Sequence, residues 1–187
     1  QMKMLLRIVR ASLGLVLFGF GVYLTIQANI GLSPWDVFSM GISKHLPVSF
    51  GTASVIISLI IVVLDILMKE KIGIGTILDA VIVGKSVDLF LWLGWVPPQG
   101  GLLPGIGVML LGLLIMSFSQ YLYMSAALCC GPRNAMLVGL GKRVRRLPIG
   151  LVNIFMLVVV AGVGALLGGQ LGLGTLVSGL GIGVTMQ

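Results

Sequence analysis

Two charged side chains, Asp36 in Ser33-Pro34-Trp35-Asp36 and Arg133 in Gly131-Pro132-Arg133-Asn134, stand inside otherwise apolar sequence. Pro is pre-organised for the first helical position and Ser or Gly is an acceptable cap before it, so each charge falls in the first turn of a helix. A helix start carries unpaired N–H groups and partial positive charge, which hold anionic groups. Arg133 would strengthen such a site, and Asp36 would suit a cationic group. The candidate substrate-binding set is therefore Ser33, Pro34, Trp35, Asp36, Pro132, Arg133 and Asn134. The plainer alternative is that Asp36 caps its own helix while Arg133 pairs with it or snorkels to an interface.

Lys85 and Asp88 are three residues apart, so they can share a helix face and neutralise each other. An ionisable group at the centre of a bilayer costs about 2.5–3.5 kcal/mol even on a lenient scale. This deep pair therefore joins the candidate set, against the alternative of a structural ion pair facing a bundle interior. Asp79 is expected to be solvated, and Asp65 with Lys69, at i and i+4, reads as a surface pair. Gly73-x-Gly75-Thr76 lacks the strand before it and the lysine after it that a phosphate loop requires, and reads as a glycine turn with a Thr cap. Cys129, Cys130 and 10 methionines suggest a soft metal on chemistry alone. Methionine also fills apolar interiors, however, and adjacent cysteines rarely meet disulfide geometry, so neither metal nor cofactor is expected. His45 has no clustered partner. With no nucleophile-and-base motif visible, an enzyme is not expected.

The elements that would position these groups are membrane helices. Of the 187 residues 58% are hydrophobic and 9% charged, with a mean hydropathy of +1.16, whereas soluble domains carry roughly 25% charged residues. A hydrocarbon core of about 30 Å takes roughly 20 helical residues to cross. Five spans answer to that: Leu5–Ala28, Gly51–Met68, Thr76–Trp95, Gly105–Leu128 and Gly150–Leu167. A sixth, Thr175–Met186, is too short to cross alone, so a C-terminal continuation is expected. Lys3, Arg7 and Arg10 precede the first span without a small-residue cleavage site after it, so that span is expected to be retained. The 28 glycines, Gly14, Gly19, Gly21 and Gly164-x-x-x-Gly168 among them, read as packing devices within one chain rather than a dimer seam. The +7 net charge sits in short clusters at span ends, a positive-inside signature that points to lipid and not nucleic acid.

The chain also repeats itself. At an offset of 98 residues Leu13, Gly14, Phe20, Tyr23, Ala28, Pro34, Gly41 and Lys44 match Leu111, Gly112, Phe118, Tyr121, Ala126, Pro132, Gly139 and Lys142. At 99, Gly51, Gly73, Gly75, Thr76 and Gly84 match Gly150, Gly172, Gly174, Thr175 and Gly183. The expected fold is an all-α transmembrane bundle of two homologous units, residues 5–95 and 105–187. Each has three spans and one short Pro-initiated half-helix, Pro34–Leu46 and Pro132–Lys142. Three spans per unit invert the second unit relative to the first. With the N-terminus inside, Lys3, Arg7, Arg10, Lys69, Lys71, Lys142, Arg143, Arg145 and Arg146 are then cytoplasmic, and only Lys44 and His45 lie outside. Should the short helices cross fully, the units are parallel and Lys69 and Lys71 move outside.

Gly31-Leu32-Ser33-Pro34-Trp35-Asp36-Val37-Phe38, with Phe50-Gly51-Thr52 and Gly73-Ile74-Gly75-Thr76 downstream, resembles the YczE/YyaS/YitT family of bacterial integral membrane proteins. The resemblance implies a multi-pass inner-membrane protein of five or six helices and implies no particular substrate. Taken with the residues, the expected function is transport of a small solute between the two units, one rocking against the other. A non-transporting scaffold or accessory subunit for a partner protein is the alternative, followed by a channel.

Overall fold

The computed structural model describes the backbone of residues 2–185 and is helical throughout apart from short connections. In chain order its helices are α1 (Met2–Ala28), α2 (Pro34–His45), α3 (Phe50–Leu67), α4 (Ile74–Leu93), α5 (Leu102–Ser125), α6 (Pro132–Arg143), α7 (Ile149–Leu166) and α8 (Leu173–Thr185). The expected reach of the last span to Met186 and Gln187 lies outside the described residues, as do the side chains of Gly183 and Val184, the counterparts of Gly84 and Lys85. Four helices, α1, α3, α5 and α7, are long and apolar enough to cross a membrane. Helix α4 has the length but carries Asp79, Lys85 and Asp88. Large apolar side chains such as Leu103, Phe155 and Leu166 face outward, where only a lipid solvent would favour them.

Sequence punctuation explains the boundaries. Pro34 and Pro132 open α2 and α6 after extended Ser33 and Gly131, where the missing N–H costs nothing. Thr76 Oγ1 accepts from the Gly73 N–H at 3.3 Å and Thr175 Oγ1 accepts from the Gly172 N–H at 3.3 Å, the Thr-capped turns expected. Three left-handed positions recur at the repeat offsets: Asn29 and Ala127, Gly31 and Cys129, Lys69 and Gly168. Glycine tolerates this region, whereas a side chain there costs about 1–3 kcal/mol. Cys129, at φ 101°, carries that strain where its counterpart is Gly31. Cys129→Gly is accordingly expected to raise thermal stability by about 1 kcal/mol once the extra unfolded-chain entropy of glycine is deducted, read as a higher melting temperature in detergent.

Several contacts between helices map onto one another when each element is exchanged for its counterpart: α2 packs on α3 and α7, α6 on α7 and α3, α1 on α4 and α5 on α8; the close packing of α3 on α4 has no such mate among the described residues. Helices α1 and α5 run antiparallel. Gly14 lies against Ser119 and Tyr123, Gly21 against Gly112 and Met116, and Gly105 against Ala28. The turn from α3 to α4 is stitched to the α5–α6 connection by Gly75 N–H donating to the Leu128 carbonyl at 3.2 Å. The α7–α8 turn is stitched to the α1–α2 connection by Gly174 N–H donating to the Ile30 carbonyl at 2.9 Å. These glycines, with Gly164 against the backbone of Phe38, are spent on packing within the chain, as expected.

The ends of the bundle differ in charge. At one end Lys142 Nζ bridges Glu70 at 2.8 Å, and Lys3 and Arg7 share a cleft with Ile74, Ala127 and Leu128. The basic groups around the α3–α4 turn and the end of α6 thus lie together. At the α7–α8 turn, Lys44 Nζ donates to the Gly168 carbonyl at 2.6 Å.

Candidate functional site

Helix α6 runs toward the Glu70 end and α2 toward the Gly168 end, so their starts face each other in the interior. There the Arg133 guanidinium lies over the Trp35 ring, 5.2 Å from its centroid. These two residues are counterparts at the 98-residue offset. Arg133 and Trp35 border a cavity of about 790 Å³ that Ser33, Pro34, Asp36, Pro132 and Asn134 also line. All seven residues proposed from the two Pro-led segments are brought together. The volume falls in the range of about 300–1,000 Å³ usual for small-molecule sites.

Asp36 is buried and its Oδ2 accepts from Ser33 Oγ at 2.5 Å. Ser33 does not cap α2 through its side chain; its hydroxyl is spent on the carboxylate. Arg133 is half-buried, and no carboxylate oxygen of the described residues lies within 4.0 Å of it. Lys142 to Glu70 is the one ion pair among them. The Asp36–Arg133 pair offered as the plainer alternative is thus not formed by contact. Most of the wall is apolar, with Phe18, Val22, Val87, Leu113, Met116 and Met156 supplying its bulk.

Asp79 corrects an expectation. It is half-buried and not on the outer surface; it lines the cavity, and a Cβ placed on Gly131 would overlap its Oδ2, so the carboxylate rests against the start of α6. A negative group is favoured there by the helix dipole. The available signal was Gly131, a cap residue with no side chain of its own, which leaves room for an acidic group from a neighbouring helix.

Lys85 and Asp88 sit elsewhere and do not pair. Asp88 accepts from Ser49 Oγ at 2.6 Å and from the Gly51 N–H at 2.8 Å, and Lys85 Nζ donates to Thr52 Oγ1 at 3.1 Å. Both serve the start of α3, and neither lines the cavity. Asp65 and Lys69 are not a surface pair either. Asp65 is fully buried with no hydrogen-bond partner in the protein for either carboxylate oxygen. Helix α3 ends at Leu67, and Lys69 takes φ 59°, so the i, i+4 geometry does not extend to it.

Among the described residues no group of three His, Cys, Asp or Glu side chains stands close enough to hold a metal ion. Cys129 and Cys130 are free thiols, half-buried.

Helices of this length and polarity, with apolar side chains turned outward, define a polytopic α-helical membrane protein. A family profile described as a family of unknown function (DUF6198) matches residues 5–187, and the chain belongs to that family. It is 31% identical over 173 residues to an uncharacterized protein of Haemophilus influenzae, covering 92% of this chain and 78% of the relative. It is 32% identical over 127 residues to the uncharacterized membrane protein YczE of Bacillus subtilis, covering 67% of this chain and 58% of YczE. It is 33% identical over 82 residues to the uncharacterized protein YyaS of the same organism, covering 43% and 41%. The resemblance to the YczE and YyaS proteins therefore holds. No solved structure matches the chain significantly.

Proposed function

We propose that this protein is a transporter for a small solute of the bacterial cytoplasmic membrane, with its site at the junction of two inverted units. The observation that carries this reading is the meeting of two short helix starts, one from each unit, on one cavity holding Asp36, Asp79 and Arg133. Interrupted helices pointing inward at a polar spot are how many transporters build a binding site.

Inversion is supported by two contacts that a parallel pair cannot make. Counterpart helices α1 and α5 run antiparallel, with Gly21 against Gly112. Lys142, at the end of α6, bridges Glu70 in the α3–α4 turn; were both short helices to cross, those residues would sit on opposite faces. With the basic end inside, the N-terminus is cytoplasmic. In a background lacking Cys129 and Cys130, cysteines at Lys71 and Gln170 are expected to react with an impermeant maleimide from opposite faces of the membrane. Reaction from one face ends the inverted arrangement.

The movement differs from the rocking of one unit against the other, because the units interleave. Helices α2, α3, α6 and α7 pack among themselves, and α1, α4, α5 and α8 pack among themselves, each set drawing on both units, with the α3–α4 crossing as the main tie between the sets. Displacement of one set against the other about that crossing would open the cavity alternately.

Thermal-shift screening of the purified protein against amino acids, nucleobases, vitamins and small organic anions identifies the ligand. Arg133→Ala is then expected to abolish ligand stabilisation and uptake, and Asp36→Ala to alter them, while the protein still folds. Unchanged binding in both variants removes this site. Co-purification of one partner protein would replace transport by a scaffold role, and a single-channel conductance in planar bilayers would replace it by a pore.

A further inference from the structure

We infer that the cavity takes an amphipathic monocarboxylate, its head on Arg133 and its apolar body against the Phe18, Val22, Leu113, Met116 and Met156 wall. This deepens the transport reading of the same cavity and rests on it.

The inference follows from which polar groups around the cavity are already engaged. Asp36 accepts from Ser33, and Asp79 rests against the start of α6. Asp36 thus has a hydrogen-bond partner and Asp79 a helix start. The guanidinium of Arg133 has the opposite charge of both nearby but no hydrogen bond to either. It is oriented by the Trp35 face, and none of its five N–H donors has a hydrogen-bond acceptor among the described residues. The contact with the ring leaves the guanidinium N–H groups free, and they form a planar fork matching a carboxylate through two parallel hydrogen bonds. A carboxylate seated on that fork is therefore what the described residues do not supply.

Two features narrow the acceptor. Asp36 and Asp79 already outnumber Arg133 in formal charge, so every negative charge beyond the one seated on the guanidinium is opposed, which disfavours dicarboxylates and phosphates most. The apolar wall gains from a hydrocarbon body at about 25 cal/mol per Å² buried, which disfavours small hydrophilic acids. A ligand amino group is compatible, since Asp36 and Asp79 can face it, and it is not required.

Three molecules sharing one isobutyl body test this: leucine, which carries both charges; 4-methylpentanoate, which carries only the acid; and 3-methylbutylamine, which carries only the base. Titration calorimetry on the purified full chain is expected to show binding of leucine and 4-methylpentanoate and none of the amine at equal concentration. Arg133→Gln is expected to weaken both carboxylates about 10- to 100-fold, the loss of a charged hydrogen bond. Should Arg133→Gln fail to fold, Arg133→Lys, which keeps the charge and loses the fork, carries the same expectation. Binding of the amine alone, binding of none of the three, or carboxylate binding unchanged in the Arg133 variant overturns the inference. Counterflow in proteoliposomes separates it from the transport reading. Carboxylate binding without counterflow keeps the ligand class and removes transport, while counterflow of the amine alone keeps transport and removes the ligand class.

Discussion

Gly51→Ala is expected to yield no stable, monodisperse protein. A Cβ at that position would overlap the Gly84 carbonyl oxygen and meet Asp88 Cγ at 2.5 Å, where α3 crosses α4 and where Asp88 also holds the Gly51 N–H. Overpacking a core costs about 1–3 kcal/mol when neighbouring side chains can yield. Here the obstacle is a helix backbone, so the cost lies at or beyond the top of that range, and the capping of α3 by Asp88 is lost with it. The control lies in the same chain: nothing stands within 4 Å of a Cβ built on Gly107 or Gly162. Alanine at either should be neutral or stabilising, by up to about 1 kcal/mol of helix propensity. Size-exclusion profiles and melting temperatures of the three variants in detergent check the contrast, and a well-behaved Gly51→Ala protein would mean that α3 and α4 cross at a greater separation.

Asp65→Ala should act in the opposite sense and stabilise. A buried polar group without a partner costs about 1–3 kcal/mol, more when charged, and Asp65 has no partner for either oxygen. At the 99-residue offset its counterpart is Gly164, which lies against the backbone of α2, so the scaffold has no need of a carboxylate there. The gain expected is about 1–3 kcal/mol, at roughly 2–4 °C per kcal/mol for a chain of this size. A lower melting temperature would show that Asp65 is engaged in the working protein, by a cation or a shared proton.

The helices were legible in the sequence because their limits are written in residues with one conformational meaning. Pro34 and Pro132 can only open a helix, and the Gly-x-Gly-Thr turns can only end one run and cap the next. That the two Pro-led starts line one site was legible as well, since each carries a charge within otherwise apolar sequence, whereas the contact of Trp35 with Arg133 was not. What spacing alone misjudged was the direction of individual side chains. Lys85 and Asp88 share a face, yet each finds a better partner at the start of α3. Asp79 lies one turn into α4, where its own helix suggests solvent, and only the neighbouring α6 start takes it inside. Asp65 and Lys69 looked paired because the spacing assumed a helix that in fact stops at Leu67.

The interleaving of the two units has a consequence for how the chain is made. Phe38 of α2 finishes its packing against Gly164 of α7, a residue translated well over a hundred positions later. At about 5–20 residues per second the nascent α2, with Asp36 aboard, waits of order ten seconds for that surface. During the wait Asp36 has Ser33 beside it but not the finished cavity, so the nascent helix is at its least protected before α7 emerges.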